Sequence, residues 1–340
     1  MTTISALVRA HGHGLLHKRQ LVRLGASDRD LTEAVRSGDV RRARRGWYTT
    51  FEPRDPRFVA VRVGGRLTGA AALDILGAWN SGTPRISVSV PSNAARLRRR
   101  PGVRVVWDDE GVFRRGSSWA VDPHDALREA LLEVPFEEAV ALIDWALHSE
   151  LLSLDEVPGI VSRLPIDARR IVDWVDPDCE SIGESITRTR LRAAGYEVTS
   201  QEPVNGHQRI DLVVNDVVAV EVDGRTFHES TFESDRTKDL AMVREGRIAL
   251  RFSYSMIRTL WSQIVVAIEA AVRMHRRGGT ACVGNSGSNL PRACDGGRAW
   301  RIPARSRSAS PELPRGRSRR TPLGRHRRSG GYRYLGTIVG

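Results

Sequence analysis

Residues 208–228 read QRIDLVVNDVVAVEVDGRTFH. Two short runs rich in β-branched residues, 210–214 and 217–222, flank the pair Asn215-Asp216. Asn and Asp are residues that tight turns favour, and β-branched side chains suit a pleated sheet. The pattern therefore predicts an antiparallel β-hairpin.

Three carboxylates lie within this hairpin. Asp211 is inside the first run, and Glu221 and Asp223 end the second. A carboxylate in a buried strand is costly unless it is paired, hydrogen-bonded or bound to a metal. The three acids therefore indicate a cation site. Oxygen ligands suit a hard ion such as Mg²⁺ or Mn²⁺, which stabilises charge on a phosphate and lowers the pKa of an attacking water.

The length of the hairpin loop determines whether Asp211 and Glu221 can share an ion. A two-residue loop pairs residue 214 with 217 and places the two carboxylates on opposite faces of the sheet. A three-residue loop pairs 214 with 218 and sets Asp211 directly opposite Glu221. The cation hypothesis therefore predicts an odd loop or a β-bulge. Asp223 shares the face of Glu221 unless a bulge intervenes.

The segments around the hairpin predict a sheet with helices on both faces. The expected order is α-β-β-β-α-β-α, with helices over 181–194, 232–244 and 255–276 and strands over 196–202 and 248–252 beside the hairpin. For the whole chain the predicted fold class is mixed, multidomain α/β.

This order and its residues resemble the PD-(D/E)XK nuclease superfamily, in the branch allied to very-short-patch-repair endonucleases. The matching positions are Glu184, Gln201, Asp211, EVDGRTFH at 221–228, Asp235-Arg236 and GRIALRFSYSMI at 246–257. The resemblance implies a restriction-endonuclease-like fold and Mg²⁺-dependent cleavage of DNA.

Asp223 stands where the superfamily usually has a Lys, which orients water and stabilises the charge of the transition state. An acid cannot do this. The resemblance therefore implies that Asp223 adds a metal ligand or a base beside Asp211 and Glu221. Positive charge would then come from Lys238 or Arg236 in the next helix.

Two further residues each have a catalytic and a structural interpretation. His228 would act as general base or orient water, because the pKa of His lies near neutral, or it caps a strand end. Glu184 forms a capping-box pattern with Ser181, which explains both residues without chemistry. The resemblance places a site acid at Glu184, and the two roles are compatible.

The N-terminal residues predict a small helical module with a basic hairpin. Two short helical patterns occupy residues 1–24, a helix capped by Ser27 and Asp30 follows over 28–37, and 40–49 predicts a hairpin. Such a module is typical of a winged helix-turn-helix whose third helix enters the DNA major groove. The residues expected to contact DNA are Arg29 and Arg36 from that helix and Arg41, Arg42, Arg44 and Arg45 from the wing. The alternative is a helical interaction module with a solvated charge run.

Residues 53–175 predict an α+β middle domain with a helical connector. Residues 52–65 are interpreted as an irregular crossing, because they are rich in Pro and Arg. A small-residue helix is predicted over 67–79, strands over 85–90 and 103–107, and longer helices over 122–133 and 136–152. No catalytic constellation is visible in this region.

The N-terminal half, with GDVRRARRGWY at 38–48 and ISVSVPSN at 86–93, resembles the AbiEi-type antitoxin family. The resemblance covers about residues 1–150. It implies a DNA-binding winged helix that autoregulates transcription, with an operator and a cognate toxin as partners.

The positive charge of the chain, +13 in total, lies at its two ends. Residues 1–50 hold ten basic and four acidic groups, and residues 278–340 hold 13 Arg against two acids. The tail from 278 has no helix or strand period and cannot bury enough apolar surface to offset its ordering entropy, so we expect disorder. Either it binds nucleic acid loosely through phosphates or it arises from a reading-frame error.

These observations predict four regions and one function with an alternative. The regions are a winged helix over 1–52, the middle domain over 53–175, the nuclease-like domain over 176–277 and the tail over 278–340. The predicted function is a DNA-binding protein with a Mg²⁺-dependent endonuclease domain. The alternative is an antitoxin or transcriptional autorepressor with a catalytically inactive nuclease fold.

The sequence predicts a cytoplasmic protein. No apolar run approaches the roughly 20 residues that span a bilayer, and the N-terminus has no charged-then-apolar signal pattern. The three cysteines, Cys179, Cys282 and Cys294, have neither disulfide-framework nor zinc spacing, which indicates a reducing compartment.

Overall fold

The computed structural model describes residues 3–98, 100–204, 206, 208–223 and 232–281, and the chain is mixed α/β. None of the helices within these ranges is long and apolar enough to cross a membrane. The helices are α1 (Ile4–Gly12), α2 (Lys18–Arg23), α3 (Asp28–Arg36), α4 (Pro56–Val63), α5 (Gly69–Asp74), α6 (Glu110–Arg114), α7 (Pro123–Ala130), α8 (Phe136–His148), α9 (Val157–Val161), α10 (Ile182–Ala193), α11 (Phe232–Arg244), α12 (Tyr254–Thr259) and α13 (Trp261–Ala281).

The strands form three sheets, and two 3₁₀ segments, Leu154–Glu156 and Ile166–Trp174, lie between α8 and α10. The strands are β1 (Leu15–His17), β2 (Arg41–Arg44), β3 (Trp47–Thr49), β4 (Arg66–Thr68), β5 (Ser87–Pro91), β6 (Arg104–Asp108), β7 (Val198–Val204), β8 (Gln208–Val214), β9 (Val218–Asp223) and β10 (Ile248–Ser253). Their orders are β1-β3-β2, β4-β5-β6 and β10-β9-β8-β7.

The first sheet packs with α1, α2 and α3 around a core that includes Val8, Leu21 and Leu31. The predicted capping box at α3 is confirmed, because Ser27 and Asp30 exchange both side-chain-to-backbone hydrogen bonds. The predicted hairpin over 40–49 is also confirmed as β2 and β3. Strand β1 was not predicted. Three residues carry no periodic signal of their own, and β1 exists because it pairs with β3.

The middle region differs from its prediction at several places, and at two of them the type of element changes. Residues 52–65 are not irregular, since they contain α4, whose first turn begins at Pro56 and is capped by Asp55. The helix predicted over 67–79 was wrong in extent. Its first residues form β4, paired with β5, and only α5 is helical, because Leu67 is drawn into the sheet opposite Val88.

The four-stranded sheet has the predicted order and helices on both faces. Leu212 and Val220 pack in one core with residues of α10, α12 and α13, whereas Val213 and Ala219 pack on the other face against Met242 of α11. Strands β7, β8 and β9 are antiparallel, and β10 is parallel to β9.

The hairpin loop has the odd length that the cation hypothesis requires. Val214 pairs with Val218, so the loop contains three residues, 215–217. Asn215 and Asp216 have φ values of 50° and 60°, in the left-handed region that Asn and Asp tolerate better than other side chains.

The C-terminal helix, predicted over 255–276, differs from its prediction in two ways. It is divided at Leu260, whose φ of −124° is not helical, into α12 and α13. Helix α13 continues to Ala281, beyond the predicted end of the helix at 276. The apolar stripe of α13, which includes Ile264 and Ile268, anchors the helix on the sheet. The rest of the tail, 282–340, lies outside the described residues.

Candidate active site

Asp211 and Glu221 lie where the ladder between β8 and β9 ends. The last pair of residues in the backbone ladder is Leu212 with Val220. Beyond this pair, backbone N–H groups donate to side-chain carboxylates instead of to the facing strand's carbonyl oxygens. The carboxylate of Asp211 accepts the N–H of Val222 at 2.8 Å, and Glu221 Oε1 accepts the N–H of Asp211 at 3.4 Å. The two strands therefore separate around a pair of adjacent carboxylates.

Lys238 of α11 supplies a cation to this pair. Its Nζ lies 2.5 Å from Glu221 Oε2 and 3.9 Å from Asp211 Oδ1, and its side chain is only 12% exposed. Residues 211 and 221 alternate onto the same face of the sheet as Val213 and Ala219, which is the face covered by α11. The packing of α11 thus brings its lysine to the acids.

Glu184 and Gln201 form the second part of the site. Glu184 lies in the first turn of α10 and is 5% exposed. Its Oε2 accepts from Gln201 Nε2 and from the N–H of Glu180, each at 3.0 Å. Gln201 has a φ of 52°, which turns this residue out of the regular course of β7. A non-glycine residue in this region is strained, and such strain clusters at functional sites.

The capping box expected at α10 is only half formed. Ser181 Oγ accepts the N–H of Glu184 at 3.2 Å. The reciprocal bond goes to the N–H of Glu180, one residue earlier than a capping box requires. The Glu184 carboxylate is therefore displaced toward Gln201, and the cap alone does not account for its position.

Burial and like charge shift the pKa values of all three acids upward. Burial raises the pKa of Glu184 to about 7, and the neighbouring Asp211 adds to this. Burial also raises the pKa values of Asp211 and Glu221, and Asp211 raises that of Glu221 further, while Lys238 lowers both. When ionised, the buried Glu184 and Glu221 and the partly buried Asp211 would carry more negative charge than the one ammonium group of Lys238 balances.

Asp223 and His228 do not join this group in the described structure. The carboxylate of Asp223 lies 3.6 Å from Arg251 Nη1, and Arg251 also contacts Asp239 of α11 at 2.8 Å. His228 lies outside the described residues. In the described part of the chain, no three side chains of His, Cys, Asp or Glu converge as a metal-binding group.

The donor set nevertheless fits a hard divalent cation. Asp211 and Glu221 offer adjacent carboxylate oxygens, and Mg²⁺ needs only one or two of these because it keeps several waters. Burial raises the pKa values of these acids, and a bound cation would stabilise their ionised form. Asp211 and Glu221 would hold the ion, whose chemistry is to polarise a phosphate and acidify a bound water.

The six arginines expected to contact DNA have different surroundings. Arg41 pairs with Glu52 at 2.8 Å, and Arg44 Nη1 lies 3.5 Å from the carbonyl oxygen of Val63. Arg36 pairs with Glu33 within α3. The three whose side chains are exposed without an ion pair among the described residues are Arg29, Arg42 and Arg45.

Arg251 is the residue near the site that sequence reasoning missed. It lies opposite Glu221 in the parallel pairing of β10 with β9 and connects Asp223 to α11. The only local signal is an Arg within an apolar strand, which requires a partner. Which acid it meets depends on the strand register.

No model of a known protein family matches the chain, and no curated protein matches it at a significant level.

Proposed function

We propose that this protein is a metal-dependent endonuclease that hydrolyses phosphodiester bonds of DNA. The catalytic region would be a restriction-endonuclease-like domain formed by α10 to α13 and β7 to β10. A winged helix-turn-helix formed by α1 to α3 and β1 to β3 would bind the DNA. In this proposal Asp211 and Glu221 hold Mg²⁺ or Mn²⁺, and Glu184 and Lys238 complete the site.

The observation that carries the proposal is the meeting of Asp211, Glu221 and Lys238 at the open end of a β-ladder. Two acids that face each other across separated strands offer an entrance to a phosphate and a metal ion. A lysine beside them can stabilise the charge that develops on the phosphate. Lys238 comes from a helix, so the Asp at position 223 does not leave the site without an ammonium group.

A second candidate is an autorepressor whose nuclease fold is inactive. The direct contact between Lys238 Nζ and Glu221 Oε2 supports it, because an ion pair of this kind neutralises a carboxylate without a metal. The exposed wing arginines, Arg42 and Arg45, would hold an operator in either case.

The first experiment is cleavage of supercoiled plasmid with and without Mg²⁺. Asp211→Asn and Glu221→Gln should lose cleavage, and Lys238→Met should slow it by about 100-fold or more, because one stabilising group is removed from the transition state. Asp216→Asn is the matched control, since Asp216 lies exposed in the same hairpin and outside the site. Chelation of the metal should abolish the activity of the wild type.

Two outcomes would decide against the proposal. Cleavage that survives Asp211→Asn and Glu221→Gln would show that these acids are not catalytic. Tight binding to the promoter of its own gene, with no cleavage in Mg²⁺ or Mn²⁺, would favour the autorepressor.

A further inference from the structure

Three arginines of the middle region converge on one cleft. Arg62, in the last turn of α4, and Arg98 and Arg100, between β5 and β6, line a cleft of about 280 Å³ together with Val59 and Val63. The described lining contains no carboxylate. Like charges that face one cleft repel each other, and a bound anion relieves the repulsion.

The arginines of the cleft differ from several exposed arginines on helices. Arg36, Arg114 and Arg273 each pair with a Glu three or four residues away on the same helix. Arg62, Arg98 and Arg100 are exposed and form no ion pair among the described residues. What distinguishes Arg62, Arg98 and Arg100 from single exposed arginines is that all three line the same cleft.

The cleft is continuous with the wing. The N–H of Arg98 donates to the carbonyl oxygen of Val63 at 3.0 Å, and Arg44 Nη1 from β2 approaches the same oxygen at 3.5 Å. The guanidinium of Arg44 also occupies the space beside Gly64, where a Cβ atom would lie 1.6 Å from Nη1. A basic surface thus extends from the β2–β3 hairpin through Arg44 to the cleft.

We propose that this cleft binds the phosphate backbone of the DNA duplex that the wing holds. The inference rests on the proposed DNA-binding function and extends it to a second phosphate-binding surface in the middle region. Guanidinium groups form strong, paired hydrogen bonds with phosphate oxygens. Such bonds set the position and orientation of the duplex and contribute affinity without reading its sequence.

The test is fluorescence anisotropy of a labelled duplex with the full chain in chelator, measured over a series of salt concentrations. The variant is Arg62→Gln/Arg98→Gln/Arg100→Gln. The control removes the same charge at exposed arginines outside the cleft and the wing, as Arg114→Gln/Arg163→Gln/Arg273→Gln. A third protein, Arg62→Lys/Arg98→Lys/Arg100→Lys, keeps the charge.

The cleft variant should bind about tenfold more weakly or worse. Its slope of log K against log salt should be shallower by about 0.9 for each phosphate that the arginines neutralise in the wild type. The Lys variant should keep most of the salt slope, and the charge-matched control should bind like the wild type.

Equal binding by the cleft variant and the control would overturn the inference. If Arg42→Gln/Arg45→Gln still weakened binding in that experiment, the proposed DNA-binding function would stand without the cleft. A wild type that binds no duplex at any salt concentration would instead refute the DNA-binding proposal itself.

Discussion

Glu184, Asp211 and Glu221 are three acids whose pKa values all rise in the folded chain. Burial is the largest cause for each, and their mutual repulsion adds to it for Glu184 and Glu221. At the scale of single residues, the ionised acids therefore destabilise the folded site, and protonation or a bound cation would remove this cost. Both effects are measurable as changes in stability.

The variant Glu184→Gln tests this effect through the pH dependence of the free energy of unfolding. The folded pKa of about 7 lies above the ordinary value of 4.5, so the folded state binds the proton more tightly than the unfolded state. The stabilisation from the protonated group is complete below about pH 4.5 and is lost as pH rises through about 7. Gln stays neutral and can still accept the N–H of Glu180.

We therefore expect Glu184→Gln to be more stable than the wild type at pH 8, by about 1–3 kcal/mol, and similar to it near pH 4.5. Urea denaturation across this range measures the difference. If the free energies of unfolding of the two proteins showed the same pH dependence, the pKa of Glu184 would not be raised in the folded state.

The hairpin of β8 and β9 is the element on which the site depends. Its three-residue loop sets the register, and the register sets which acids meet. Positive φ values at Asn215 and Asp216 give the loop its shape. The two loop residues therefore act on the site through strand pairing rather than through direct contact.

Deletion of Asp216 should convert the loop to two residues and shift one strand by one position. Glu221 would then face away from Asp211, and cleavage in Mg²⁺ should fall by about 100-fold or more, because a small misplacement of catalytic groups has effects of this size. Plasmid cleavage provides the measurement.

The matched control for the deletion is Asn215→Gly/Asp216→Gly, which keeps the loop length and suits positive φ. It should retain activity. Full activity in the deletion variant, with a circular dichroism spectrum like that of the wild type, would contradict the role assigned to the register.

At the scale of the whole molecule, a buried ion pair joins the middle region to the four-stranded sheet. Asp144 of α8 and Arg188 of α10 are 0% and 1% exposed, and their side chains meet at 2.9 Å. Asp144 also accepts from Ser185 Oγ at 2.5 Å and from the N–H of Asp176 at 2.7 Å. The two helices are therefore coupled through charges that water does not reach.

Arg188→Met should destabilise the protein by about 3–5 kcal/mol, because it leaves the Asp144 carboxylate buried without its cation. The double variant Arg188→Met/Asp144→Leu should recover most of this stability, since apolar pairs often replace buried ion pairs at little cost. Urea denaturation of both variants gives the comparison. Equal destabilisation in the single and double variants would show that the pair itself, rather than an orphaned charge, supplies the stability.

Short patterns in the sequence predicted much of this structure. The apolar runs, the turn pair and the acids predicted the hairpin, and the cation hypothesis required the odd loop that the structure has. The capping box at α3 and the bounds of α11 were also predicted from the sequence, because caps and helical periods are set by residues a few positions apart. His228 and most of the tail lie outside the described residues, and their predicted roles stay predictions.

Only the tertiary structure decided which distant groups meet. It brought Lys238 to Glu221, joined Arg251 to Asp223 and turned Gln201 toward Glu184. Strand β1 and the division of the helix predicted over 67–79 likewise depend on partners far along the chain. The physical reason is that strand pairing and helix packing join residues with no common sequence period, so their outcome is fixed by the free energy of the whole fold.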